Sequence, residues 1–189
     1  NIIALASPSG VGAISLIRIS GPQSIEIVNK VFKGIEKISL IKQQSNKVQL
    51  GYIYDNSNTI DKVLVTVFRN PKSYTGEDLV EISCHGSMFI QQSIIHLLLA
   101  NNCRIANAGE FTMRSFLNGK MDLSQAESVA DLISSNSEAS HRLAMNQMRG
   151  GFKNDINSLR VELLNFASLI ELELDFSQED VEFVNMKEL

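Results

Sequence analysis

The sequence predicts an α+β fold: an N-terminal mixed α/β domain followed by an incomplete all-α helical-bundle domain. Three observations predict it. Up to about residue 104, short apolar strand-like runs alternate with one-sided helical stretches. From about residue 110 the apolar spacing becomes three and four throughout. Gly, Pro, Asn and Ser cluster at the junctions between these stretches.

Taken in order, Ile2 to Ala6 is a short apolar strand, and Ala13 to Ile19 a second, with Ser15 polar inside it. Gly21-Pro22 then breaks the chain. Pro22 suits the first position of a helix running to about Phe32. Val48–Asp55 and Lys62–Arg69 read as a hairpin around Asn56-Ser-Asn58. Asp78 to Cys84 is another strand. Met88 to Ala100 is a helix with Ile90, Ile94, Leu97 and Leu98 on one face. Arg104-Ile105 closes the sheet. Helices follow at about 110–118, 122–134, 137–150 and 153–175, with breaks at Ser135-Asn136-Ser137 and Gly150-Gly151. In the last helix Phe152, Ile156, Leu159, Leu163, Phe166 and Ile170 form a bundle seam. A helix this long needs a partner over that stripe, so completing helices are expected in further sequence or another chain.

Composition narrows the class. Of the 189 residues 44% are hydrophobic and 20% charged, and the net charge of −4 gives no broad attraction for nucleic acid. Any work on nucleic acid then needs phosphate contacts from elsewhere. Cys84 and Cys103 read as reduced, largely buried thiols rather than a disulfide framework. No run reaches the roughly 18 apolar residues of a membrane span, and no secretory leader is expected. The start at Asn1 rather than Met is expected to reflect trimming or preceding residues.

Several residues carry candidate chemistry. Ser7-Pro-Ser-Gly-Val-Gly12 lies between strands, where Gly10 and Gly12 serve a tight turn or aim N–H groups at an anion. Arg18 sits within an apolar strand and must reach water, an acid or a ligand. Glu77 follows the flexible Gly76 at a loop edge and is placed to reach a cleft, while Asp78 begins the strand. Cys84 and His85, as strand neighbours, point to opposite faces and do not form a nucleophile–base pair. His85 is expected to hydrogen-bond a loop. Glu110 and Arg114, four apart, form a helical salt bridge. Lys120 follows Gly119 where it caps carbonyls or meets a ligand. The acidic stretch Glu171, Glu173, Asp175, Glu179, Asp180 and Glu182 reads as a solvated face. No histidine spacing makes a metal site. Gly119-Lys120 lacks a glycine five positions before Gly119 and is followed by Met121, so these residues hold no P-loop, and no Asn-Lys-x-Asp guanine motif occurs. No self-contained catalytic site is expected.

Four blocks, in order, resemble the MnmE (TrmE) tRNA-modification GTPase family. They are Ser7-Pro-Ser-Gly-Val-Gly12 with Leu16-Ile-Arg-Ile-Ser-Gly21; Ser73-Tyr-Thr-Gly-Glu-Asp-Leu-Val-Glu-Ile-Ser-Cys-His-Gly86; Gly109-Glu-Phe-Thr-Met-Arg-Ser-Phe-Leu-Asn-Gly-Lys-Met-Asp-Leu-Ser-Gln-Ala-Glu127; and Asp131-Leu-Ile-Ser134. The resemblance implies a tetrahydrofolate-binding, homodimerising domain over 1–118 and the first part of a helical domain over 119–189. It implies that Arg18, Glu77 and Lys120 contact a folate such as 5-formyl- or 5,10-methylene-tetrahydrofolate, with Gly10, Gly12, Gly76 and Arg114 as supporting or interface groups. It implies partnership with the flavoprotein MnmG (GidA) and modification of the wobble uridine of tRNAs at carbon 5, in the cytoplasm. GTP, K⁺ and Mg²⁺ belong by resemblance to a GTPase domain outside these residues. The alternatives are a stand-alone folate-dependent one-carbon transferase and a non-catalytic dimerisation scaffold.

Overall fold

A computed structural model describes residues 1–176. The chain divides into two compact units, Asn1–Met121 and a second beginning at Asp122.

The first unit contains β1 (Ile2–Leu5), β2 (Gly12–Ser20), α1 (Ser24–Val31), β3 (Phe32–Gly34), a 3₁₀ turn (Leu40–Lys42), β4 (Lys47–Asp55), β5 (Asn58–Phe68), β6 (Leu79–Gly86), α2 (Met88–Leu99), β7 (Arg104–Ile105) and α3 (Glu110–Leu117). The strands form one sheet in the order β3-β4-β5-β6-β2-β1-β7. All pairs are antiparallel except β1 with β7. Strand alternation sends Ile17 and Ile19, Val63, Val65 and Val67, and Val80 and Ile82 to one face, where they pack with Ile25 and Val28 of α1 and Ile94 and Leu98 of α2. Arg18 and Glu81, directly opposite in the register, therefore share the other face.

The predicted α+β class is the observed one, with local differences that have physical causes. Pro22 does not open the helix. The Ser24 N–H donates to the Gly21 carbonyl at 3.1 Å, so Gly21-Pro22-Gln23-Ser24 is a turn with proline at its second position. Gly21 takes φ +138 there, and the Gln23 N–H donates to Asn1 Oδ1 at 3.0 Å. The helix ends a residue before Phe32, because Phe32-Lys33-Gly34 pairs with β4 instead. The hairpin turn is tighter than predicted: Asn56 adopts φ +53 and pairing resumes at Asn58 opposite Asp55. Asp78 does not begin β6. Its carboxylate accepts the Asn70 N–H at 2.8 Å, and its carbonyl accepts Ser24 Oγ. His85 binds no loop; it meets Asp61 on the neighbouring β5, Nδ1 to Oδ1 at 2.7 Å. Asp61 is buried, and it also accepts the N–H groups of Lys62 and His85.

The second unit holds α4 (Leu123–Ser134), α5 (Glu138–Met148) and α6 (Gly151–Phe176). Asp122 caps α4 in a capping box with Gln125, and Ser137 caps α5 likewise with Ser140. On α6 the predicted seam residues Ile156, Leu159, Leu163 and Ile170 are 38–59% exposed. The side chains of Phe152 and Asp175, and the acidic residues from Glu179 onward, lie outside what is described. Among the described residues no cluster of His, Cys, Asp and Glu is able to hold a metal, and no helix is long and apolar enough to cross a membrane.

Candidate ligand-binding site

Loop 73–78 carries the Tyr-Thr-Gly-Glu segment into β6 and is strapped to α3 by hydrogen bonds. Ser115 Oγ donates to the Tyr74 carbonyl at 2.7 Å. Asn118 Nδ2 donates to the Thr75 carbonyl at 2.7 Å, and Tyr74 Oη meets Thr112 Oγ1 at 2.9 Å. Gly76 has φ +75, and a Cβ there would lie 3.0 Å from Asn118 Cβ and 3.2 Å from Cγ and Cδ of Lys120. Glycine is thus needed for both conformation and close approach. The Lys120 stem covers this glycine, and the residue as a whole is exposed. Among the described residues Lys120 makes no ion pair.

Glu77 points back toward the sheet. Its Oε2 accepts Ser20 Oγ at 2.8 Å and Arg114 Nη1 at 2.9 Å, and its Oε1 accepts the same Nη1 at 3.1 Å. Ser20 Oγ also lies 2.7 Å from the buried Thr75 Oγ1. Two residues back along β2, Arg18 donates from Nε and Nη2 to Glu81 Oε1 at 2.9 and 2.7 Å. Its guanidinium carbon lies 5.2 Å from the Tyr74 ring centre and 5.8 Å from that of Phe111. Arg18 is therefore not on an open solvated face. It is held between an acid and two rings, with Nη1 making no hydrogen bond among the described residues.

The structure brings Arg18, Gly76, Glu77, Arg114 and Lys120 to one region. It does not bring Gly10 and Gly12 there. Gly12 lies six residues from Arg18 along β2, roughly 20 Å at the strand rise. The Gly10 carbonyl accepts Gln91 Nε2 at 3.0 Å, and Gly12 pairs with Gly86 so closely that a side chain at Gly86 would collide with its backbone. These glycines serve the β1–β2 connection.

The sequence reading missed Arg104. From β7 its Nη1 donates to Glu110 Oε2 at 2.8 Å and its Nη2 to Oε1. Glu110 is buried and also accepts the Asn107 N–H at 2.8 Å and Arg114 Nη2 at 3.0 Å. The expected Glu110–Arg114 helical pair is present, but it is only one link in a longer row of charges. The hydrogen bond from Arg104 is the main cause that holds the Glu110 carboxyl down at about 2; the Asn107 N–H and Arg114 add to it against the opposing effect of burial.

Cys84 is no nucleophile. Burial, with Asp61 nearby, pushes its thiol up to about 11. Cys84 is expected to resist iodoacetamide at neutral pH in the folded chain and to react on unfolding; quantitative labelling before unfolding would contradict this. The charged cluster is also distinct from a hollow elsewhere in the first unit. A cavity of about 290 Å³ lies in the 36–49 segment, beside Lys42, Lys47, Gln43 and Gln49. The amide oxygens of Gln43 and Gln49 are unpartnered there among the described residues, but they are sealed from solvent.

A seven-stranded α+β module with a charged, aromatic-flanked cluster, followed by a helical unit, is the class of protein defined here. Residues 1–120 match the family model described as GTP-binding protein TrmE N-terminus, and residues 123–189 match the MnmE helical domain. The chain belongs to the MnmE (TrmE) family. It is 65% identical over 185 residues to a protein of Flavobacterium johnsoniae named tRNA modification GTPase MnmE, covering 98% of this chain and 40% of that one. Proteins of the same name from Christiangramia forsetii and Bacteroides thetaiotaomicron are 64% identical over 184 residues and 55% identical over 189, covering 97% and 100% of this chain and 39% and 40% of theirs. The chain thus spans about 40% of the length of these relatives.

Proposed function

We propose that this chain is the tetrahydrofolate-binding, homodimerising part of a tRNA-modification GTPase. In this reading residues 1–118 form the folate-binding domain and 119–189 begin the helical domain, with Lys120 at the junction reaching back to the folate. With the flavoprotein MnmG, the whole protein installs an aminomethyl-type group, such as carboxymethylaminomethyl, at carbon 5 of the wobble uridine of tRNAs, in the cytoplasm. GTP, K⁺ and Mg²⁺ act at a GTPase site that is not within these 189 residues.

The observation that carries the folate assignment is the convergence of Arg18, Glu77 and Lys120, three charged side chains from separate sequence blocks, around Gly76 and two aromatic rings. The donor set fits a folate. A pterin offers adjacent N–H donors, and its glutamate tail is anionic. Of about four acceptor positions on a carboxylate, the contacts of Glu77 to Arg114 and Ser20 occupy three. One position remains on Oε1, and a second opens when the Ser20 hydroxyl donates to Thr75 instead. Arg18 Nη1 and the Lys120 ammonium supply cations for the tail. The bound folate supplies the one-carbon unit; these residues bind and orient it.

Calorimetric titration with 5-formyltetrahydrofolate, alongside light scattering for mass, tests this. Micromolar binding by a dimer is expected. A dimer that does not bind leaves the scaffold reading. A non-binding monomer overturns the folate-module reading altogether. No general base with a partner stands in the cluster, which disfavours a stand-alone transferase.

A further inference from the structure

We propose that Arg104 is a positioning residue for Glu77, acting at a distance through Glu110 and Arg114. The proposal rests on the reading of Glu77 as the folate-accepting carboxylate. Arg104 touches neither Glu77 nor the rings around Arg18. It reaches the site through a row of alternating charges: Arg104, Glu110, Arg114, Glu77.

Each link restricts the next. Arg104 is anchored at the sheet edge. Its N–H donates to the Asn1 carbonyl at 3.1 Å, and the Ala106 N–H donates to the Ile3 carbonyl at 2.9 Å. Its two terminal nitrogens grip both oxygens of Glu110, which fixes the plane of that carboxylate. Arg114 then splits its fork, Nη2 to Glu110 and Nη1 to Glu77. A guanidinium is planar, so the Glu110 contact sets the direction from which Nη1 meets Glu77. Arg114 Nη1 is the only contact that touches both Glu77 oxygens among the described residues. Its direction decides which acceptor position is left for a ligand.

Removing Arg104 leaves Glu110, which is 3% exposed, with only Arg114 and the Asn107 N–H. A buried carboxylate so depleted either draws Arg114 toward itself or takes up a proton. The first turns Nη1 away from its place on Glu77; the second frees the guanidinium from Glu110, so that nothing fixes the direction from which Nη1 meets Glu77. The charged groups facing Glu110 are Arg104 from β7 and Arg114 from α3, with the Asn107 backbone N–H from the preceding loop; Glu77 adjoins Arg114 from loop 73–78.

The experiment uses Arg104→Met, Arg104→Lys and Glu77→Gln in the full chain. Affinity for 5-formyltetrahydrofolate is measured by calorimetry between about pH 4 and 8, where carboxylates titrate. The Glu77 carboxyl carbon is followed by NMR in the ligand-free chain over the same range, and thermal unfolding confirms that each variant is folded. Arg104→Met is expected to weaken binding about tenfold, the scale of coupling within one charged network. It should also displace the acid limb of binding and the Glu77 NMR titration from their wild-type positions. Arg104→Lys, a point charge that cannot grip both oxygens, should fall between. Unchanged affinity, or weakened binding with the acid limb and Glu77 titration unmoved, would overturn the proposal. If wild type binds no folate, the folate reading fails, and the NMR titration alone decides the relay: a shift in Arg104→Met sustains it and an unmoved curve rejects it.

Discussion

Glu77→Gln is expected to abolish measurable tetrahydrofolate binding while the chain stays folded and keeps its mass by light scattering. The amide matches the carboxylate in volume, so packing of loop 73–78 is preserved. Its charge is lost, and one of its two terminal atoms becomes a donor. That donor must face either Arg114 Nη1 or Ser20 Oγ, both of which donate to Glu77 in the native chain. Charge-assisted hydrogen bonds contribute about 1.5–3 kcal/mol each. Losing one that a ligand shares weakens binding roughly 10- to 100-fold, and losing the two that a bidentate ligand shares takes a micromolar affinity out of calorimetric reach. Calorimetry against 5-formyltetrahydrofolate reads the loss. Binding at wild-type affinity would remove Glu77 from the site and with it the main support for a folate module.

Glu110→Ala is expected to produce the largest loss of stability among single changes in the cluster. Removing one partner of a buried ion pair costs about 3–5 kcal/mol, because the remaining charges lose their compensation. Arg104 is 55% exposed and re-solvates, which places the expected cost nearer the lower figure. The pH dependence identifies the cause. The folded carboxyl sits at about 2 against an ordinary 4.5, so it takes up protons less readily folded than unfolded. Its contribution is complete above the unfolded value and disappears as pH falls through the folded one. The stability gap between wild type and Glu110→Ala, measured by urea unfolding, is therefore expected to be full near neutrality and to shrink between about pH 4.5 and 2. A gap that stays constant down that range would show that packing, and not charge, carries the effect.

Much of the fold was legible because burial acts on periodicity. A strand with one buried face must alternate, and Ile17 and Ile19 or Val63, Val65 and Val67 announce that face directly. The break into helices after residue 110 was equally plain from apolar spacing. What escaped were elements too short to show a period. Phe32-Lys33-Gly34 is three residues long and exists only because β4 offers it a partner. The turn at Gly21-Pro22 looked like a helix start, since proline suits either place. The hydrogen bond from Ser24 back to Gly21 chose between them.

The candidate residues divide in the same way. Their types and the blocks that carry them were readable one residue at a time, and so was the local Glu110–Arg114 pair, because four residues make one helical turn. Their partners were not. Arg18 finds Glu81 across 63 positions, Glu77 finds Arg114 across 37, and Arg104 enters only once β7 has paired in parallel with β1. The sequence alone determined the α+β class, the helical second part, the family resemblance and which charged side chains sit awkwardly among apolar neighbours. Only the tertiary structure decided that Arg18 is gripped by Glu81 between two rings, that Gly10 and Gly12 stand apart, and that a row of four charges runs from the sheet edge to Glu77. The physical reason is range: periodicity and propensity act over a few neighbouring residues, whereas an ion pair is made by whichever charges the packed sheet and helices bring within about 3 Å.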